Sequence, residues 1–180
     1  MSSAVDRSSV GRDHPRAALD ASSVRDAYRR WAGVYDALFG GVSAFGRKRA
    51  VAAVNRLPGA RVLEPSAGIG NIVRAVLARG AQVDAVEIHP GRADALLGIG
   101  DPNLHVACTN FLTMRPDPVY DHVLMNPPFA GKHFMAHVRL AFDFLKPGGE
   151  LRAILPASAE VGSTAKHERF RAWAAQHSPR

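Results

Sequence analysis

The sequence predicts an α/β fold, a mostly parallel sheet with helices on both faces, and three observations carry that prediction. From Arg61 onward short apolar runs alternate with segments of helical period. The first run, Val62-Leu63, opens into the glycine-bearing turn Glu64-Pro-Ser-Ala-Gly-Ile-Gly70. A later run, Tyr120-Asp-His-Val-Leu-Met125, leads straight into Asn126-Pro-Pro-Phe129. At 180 residues, 47% of them hydrophobic, the chain fits one domain with a core of its own, and a second full domain is not expected.

Residues 1–20 are rich in Ser, Arg, Asp and Ala without a regular apolar period and read as a disordered leader. Residues 21–58 carry two helical stretches. In Val24–Phe39, Trp31, Val34, Tyr35 and Leu38 share helical spacing between a Ser22 or Ser23 cap and a Gly40-Gly41 stop. The second stretch, Phe45–Leu57, carries Arg47-Lys48-Arg49 and ends at Pro58-Gly59. Residues 59–180 form the sheet domain. Strands are expected at Arg61–Glu64, Gln82–Glu87, Leu104–Cys108, Tyr120–Met125 and Glu150–Leu155. Helices are expected at Ile72–Arg79, Arg92–Leu97 and Lys132–Leu145, with Lys146-Pro-Gly-Gly149 as a tight turn back to the sheet and Thr164–Gln176 as a polar helix.

No apolar run is long enough to span a bilayer, and the first twenty residues lack the apolar stretch of a secretory signal. A soluble, cytoplasmic protein is therefore expected. The single cysteine, Cys108, has no disulfide partner and reads as a small buried strand residue. Of the four histidines near the motifs, only His133 and His137 have the i, i+4 spacing of a helical metal site, and no carboxylate stands between them. No metal is expected. The net charge of +7 is uneven: ten Lys/Arg against five Asp/Glu in residues 1–60, eight against nine in 61–150, and five against two in 151–180. Basic flanks around a neutral centre suit nucleic acid (DNA or RNA) or an anionic membrane surface, although a solvated surface would look the same.

The glycine turn lets a ligand approach the backbone at the end of the first strand, where Gly68 and Gly70 present no Cβ. Glu87 ends the second strand, where a carboxylate can accept hydrogen bonds from both hydroxyls of a ribose. A dinucleotide would use the same pair of features. Against it, Val73 stands where Gly-x-Gly-x-x-Gly has its third glycine, and Glu64 would repel a pyrophosphate but favour a cationic ammonium group. In Asn126-Pro-Pro-Phe129, two residues precede prolines and are pushed toward extended conformations, which stiffens the loop. The Asn126 side-chain oxygen and the Pro127 carbonyl could accept two N–H bonds from a planar amine, and Phe129 offers a face for stacking.

Together, Val62-Leu-Glu-Pro-Ser-Ala-Gly-Ile-Gly-Asn71 and Asn126-Pro-Pro-Phe129 resemble motifs I and IV of the class I S-adenosylmethionine-dependent methyltransferases, over roughly Arg61 to Pro156. The resemblance implies a Rossmann-like fold, S-adenosyl-L-methionine as cofactor, and methyl transfer to an exocyclic amine such as adenine N6 in DNA or RNA. It assigns cofactor binding to Glu64, Pro65, Ser66, Ala67, Gly68, Gly70 and Asn71 at the methionine end, to Glu87 and Ile88 at the ribose, and to Asn110 and Phe111 at the adenine. It assigns catalysis to Asn126, Pro127, Pro128 and Phe129. Glutamine side chains are an alternative planar acceptor.

Two departures temper the resemblance. The family completes its sheet with a carboxyl-terminal antiparallel hairpin that this sequence does not show, so a sheet lacking the last two strands, an incomplete catalytic domain and low stability are expected. The segments Tyr28–Phe39 and Gly46–Pro58 resemble bacterial phospholipid N-methyltransferases, which implies a phosphatidylethanolamine headgroup as an alternative acceptor. A cofactor-binding module without catalysis is the third reading.

Overall fold

The computed structural model describes residues 57–177. The expected leader and both amino-terminal helices, save Leu57, lie outside these residues. Five strands, β1 (Arg61–Pro65), β2 (Gln82–Glu87), β3 (Leu104–Cys108), β4 (Tyr120–Met125) and β5 (Leu145–Ala153), form one sheet in the order β3-β2-β1-β4-β5. Every pair of neighbours is parallel. The connecting helices are α1 (Asn71–Leu77), α2 (Pro90–Leu97) and α3 (His133–Phe142), followed after β5 by α4 (Ser158–Val161) and α5 (Ala165–His177).

Central parallel strands are covered on both faces, which is why β1, β2 and β4 are buried along most of their length. Alternate side chains along each strand divide between two cores. Val62, Val83, Ala85 and Leu124 pack with Ile72, Val73 and Val76 of α1 and Leu96 of α2. Leu63, Val86, Val123 and Met125 pack with Phe134 and Val138 of α3 and Phe170 of α5. Helices therefore cover both faces of the sheet.

Two expectations need correction. Cys108 is exposed rather than buried, because β3 is the outermost strand and alternates between half-buried and exposed side chains. The fifth strand begins at Leu145, before the tight turn and not after it. Tyr120 pairs with Leu145 and His122 with Glu150, so Lys146–Gly149 bulge out opposite Asp121. Gly148 takes φ 80° there, and the Lys146 ammonium closes the bulge on the Asp121 carboxylate at 2.8 Å. The short helix α4 and a single 3-10 turn at Phe111–Thr113 add to the expected elements, and neither is long enough to show a period in the sequence.

Candidate active site at the strand switch point

The strand order reverses between β1 and β4: the chain leaves β1 toward β2 and β3 on one side and returns through β4 to β5 on the other. Loops at the carboxyl ends of such a pair diverge and leave a crevice between them. Leu63 pairs with Val123, and each strand runs two residues further, to Pro65 and Met125. The glycine loop and the Asn126 loop, about sixty residues apart in sequence, thus emerge side by side.

The glycine loop is bonded down along its length. The Ser66 and Ala67 amides both donate to the Val86 carbonyl at 3.0 Å. The Gly68 amide donates to Glu87 Oε2 at 2.8 Å, and the His89 amide donates to Glu87 Oε1 at 2.8 Å. Glu87, 5% exposed, therefore fastens the loop to β2, and each of its oxygens retains a second acceptor site. Ser66 holds φ 134°, a conformation costly for a side chain and sustained by this surrounding bonding. Arg74, which the motif did not single out, donates to the Ile69 carbonyl at 2.6 Å and braces the loop from α1.

The two glycines serve different ends. A Cβ on Gly70 would come within 2.7 Å of Leu96 Cδ2, so packing against α2 demands glycine there. A Cβ on Gly68 would meet nothing within 4 Å and would stand in open space. Glu64, 2% exposed, Pro65 and Ala67 are buried at the mouth of β1, while Ser66 is half-buried and Asn71 is exposed at the start of α1. Val73 is fully buried in the core beneath, as its bulk requires.

Across the crevice, Pro127 is buried and Asn126, Pro128 and Phe129 are half-buried. The Ile154 amide donates to the Met125 carbonyl at 3.0 Å, which fixes the base of this loop to the end of β5. Asn126 Oδ1 is buried and accepts no hydrogen bond. A desolvated carbonyl oxygen of this kind costs about 1–3 kcal/mol until a donor meets it.

No protein-family model matches the sequence, and no curated protein matches it. Solved structures do. A Pyrococcus horikoshii protein assigned as an RNA methyltransferase superposes with a TM-score of 0.57 at 21% identity, over 75% of this chain and 65% of that one. The DhpI–SAM–HEP complex superposes with a TM-score of 0.58 at 22% identity, over 73% and 64%. A SAM-dependent O-methyltransferase of Thermotoga maritima gives 0.54 at 18% identity, over 74% and 49%. The chain has the class I methyltransferase fold. It spans about two thirds of the first of these chains and half of the last.

Within this fold, the segment after β3 is tied to the end of β2 through the Thr109 amide, which donates to the Glu87 carbonyl at 3.1 Å. Asn110 Oδ1 accepts from the Leu112 amide at 3.0 Å, and Ile88 is half-buried next to Glu87. Phe111 is 4% exposed, with its ring 5.5 Å from that of Phe144 and 6.0 Å from that of His137, so its side chain belongs to the core under α3 and not to the crevice. Sequence alone had no means of telling these two neighbours apart, since the 3-10 turn decides which one points inward. His137 is itself buried, its Nδ1 donating to the His133 carbonyl at 3.0 Å, and burial lowers its pKa against the pull of that bond. Among the described residues no cluster of three metal-ligating groups occurs. A groove of about 740 Å³, lined by Ala60, Asp121, His122, Lys146 and Glu150, lies at the amino-terminal ends of β1 and β4, the edge opposite both loops. Lys146 with Asp121 and Arg152 with Glu150 neutralise one another there.

Proposed function

We propose that this chain is an enzyme that binds S-adenosylmethionine in the crevice between the two loops and methylates a planar exocyclic amine, such as N6 of adenine in DNA or RNA. The observation that carries the reading is the buried, unbonded Asn126 Oδ1 in the loop that follows β4. The residues around Gly68 fit the cofactor: the cradle is open where a Cβ would stand, Glu87 has acceptor sites left for ribose hydroxyls, and Glu64 suits an ammonium group. When bound, the cofactor would supply a methyl group activated by a sulfonium centre, and the S–C bond to that methyl would break, its electron pair passing to sulfur, as the acceptor's new N–C bond forms.

The chain's own residues then have to make a poor nucleophile competent. An exocyclic amine delocalises its lone pair into the ring. Asn126 Oδ1 and the Pro127 carbonyl accept its two N–H bonds, which turns the lone pair out of conjugation and stabilises positive charge on nitrogen as the new N–C bond forms. The surplus proton leaves to water afterward. Phe129 stacks on the ring and the paired prolines keep the acceptors in place. The fold does not choose the acceptor, since its structural neighbours include proteins described as acting on RNA and as O-methyltransferases. The acceptor loop supports a planar nitrogen over a lipid headgroup, whose saturated amine, once deprotonated, has a localised lone pair and no use for two acceptors.

The test is transfer of labelled methyl from the cofactor to unmodified RNA, DNA, protein and phosphatidylethanolamine vesicles by the full chain, with digestion to nucleosides. Label is expected in N6-methyladenine. Asn126→Ala should lower turnover roughly 10²- to 10³-fold, as loss of one preorganised hydrogen-bond partner does elsewhere, with cofactor affinity unchanged. Full activity in that variant, or label confined to lipid, would refute the reading.

A further inference from the structure

The charges of the described residues are segregated. Ion pairs join Arg61 to Asp84, Lys146 to Asp121 and Arg152 to Glu150, all on the strands or their bulge. The exposed cations of α3 and α5 have no such partner among the described residues. Lys132 donates to the neutral Thr164 hydroxyl at 3.0 Å, just before α5 begins. Arg139, two turns further along α3, donates to the Arg169 carbonyl at 3.2 Å and lies over the Trp173 ring at 5.5 Å. Lys166 and Arg169 are exposed neighbours on α5 at i, i+3 spacing. The acids of this region, Asp143, Glu160 and Glu168, pair with none of the four cations among the described residues.

We infer that Lys132, Arg139, Lys166 and Arg169 form one band that grips the phosphate backbone of a nucleic acid strand whose base enters the Asn126 loop. Two hydrogen bonds, from Lys132 to the start of α5 and from Arg139 to its middle, hold the α3 and α5 cations together against their mutual repulsion. Holding like charges together without an ion pair to any of them costs free energy that a polyanion returns by releasing its counterions. The band begins at Lys132, six residues after Asn126, so a strand lying on it passes the acceptor loop. Phosphate contacts of this sort set position and orientation while the loop handles the base. The inference deepens the proposed function and rests on it for the identity of the polyanion.

The experiment measures binding of the full chain to a fluorescent single-stranded RNA or DNA oligonucleotide without cofactor, across a salt series. The Lys166→Glu/Arg169→Glu variant should bind roughly tenfold or more weakly, and its slope of log affinity against log salt should be shallower by about 1.4, two single-strand phosphate contacts at about 0.7 each. Arg115→Glu, on the loop before β4, should change affinity less than about twofold and serves as the charge control. An unchanged thermal melt of the double variant excludes misfolding. Equal binding by the double variant, no nucleic acid binding by the unaltered chain, or binding to phosphatidylglycerol vesicles in preference to nucleic acid would each overturn the band. Label transfer at saturating oligonucleotide scores the proposed function separately: transfer without loss of binding in the double variant sinks the band alone, and weakened binding without transfer sinks the chemistry alone.

Discussion

Glu87 holds the glycine loop through Oε2, which accepts from the Gly68 amide, while Oε1 takes the His89 amide, and the consequence is that stability and ligand affinity share residues at this site. The two glycines separate them. Gly70→Ala puts a methyl group 2.7 Å from Leu96 in a left-handed conformation and should destabilise the fold by about 2 kcal/mol or more, read by thermal melting. Gly68→Ala meets nothing in the protein and costs only the backbone strain, about 1–2 kcal/mol, but should weaken cofactor binding at least tenfold by titration calorimetry. His137 supplies a pH test. Burial holds its folded pKa below the unfolded value near 6.5, so the unfolded chain binds the extra proton first, and stability falls as pH drops from that value toward the lower folded one. His137→Phe should flatten the dependence of melting temperature on pH between about 7 and 5, and an unaltered slope would show that another group titrates there.

Each half of the site hangs from an element. The Asn126 loop sits between β4, whose last residue Met125 is 1% exposed, and α3, whose Phe134 is fully buried with its ring edge-on to Phe170 at 5.5 Å. Phe134→Ala should cost about 3–5 kcal/mol in a core this closed. Because α3 anchors the far end of the loop, turnover should fall in the variant even at temperatures where it remains folded, which paired melting and transfer assays would show. Three strands, Gln82–Glu87, Leu104–Cys108 and Tyr120–Met125, run over the residues that their apolar patterns predicted. The two central ones, β2 and β4, announce themselves because both of their faces are covered. β5 did not, because its first part is a bulge of Lys, Pro and Gly that mimics a turn, and only pairing with Tyr120 makes Leu145 a strand residue.

At the scale of the molecule, the ligand and the fold are linked. If the crevice holds the cofactor, adding it at a hundredfold excess over its dissociation constant should stabilise the chain by about 2.7 kcal/mol, a rise of roughly 5–10 °C for a protein of this size. No shift with S-adenosylmethionine or its demethylated product would remove the cofactor from the proposal. The amino-acid sequence by itself determined the alternation of strands and helices, the two loops and the identity of the residues on them, because backbone conformation and apolar period are local properties. Tertiary structure decided what those residues are to one another. Tertiary packing sets the loop after β1 beside the loop after β4, turns Phe111 into the core, leaves Cys108 at the edge and joins α3 to α5. Neighbourhood in a parallel sheet depends on how strands far apart in sequence pack, and no local pattern carries that information.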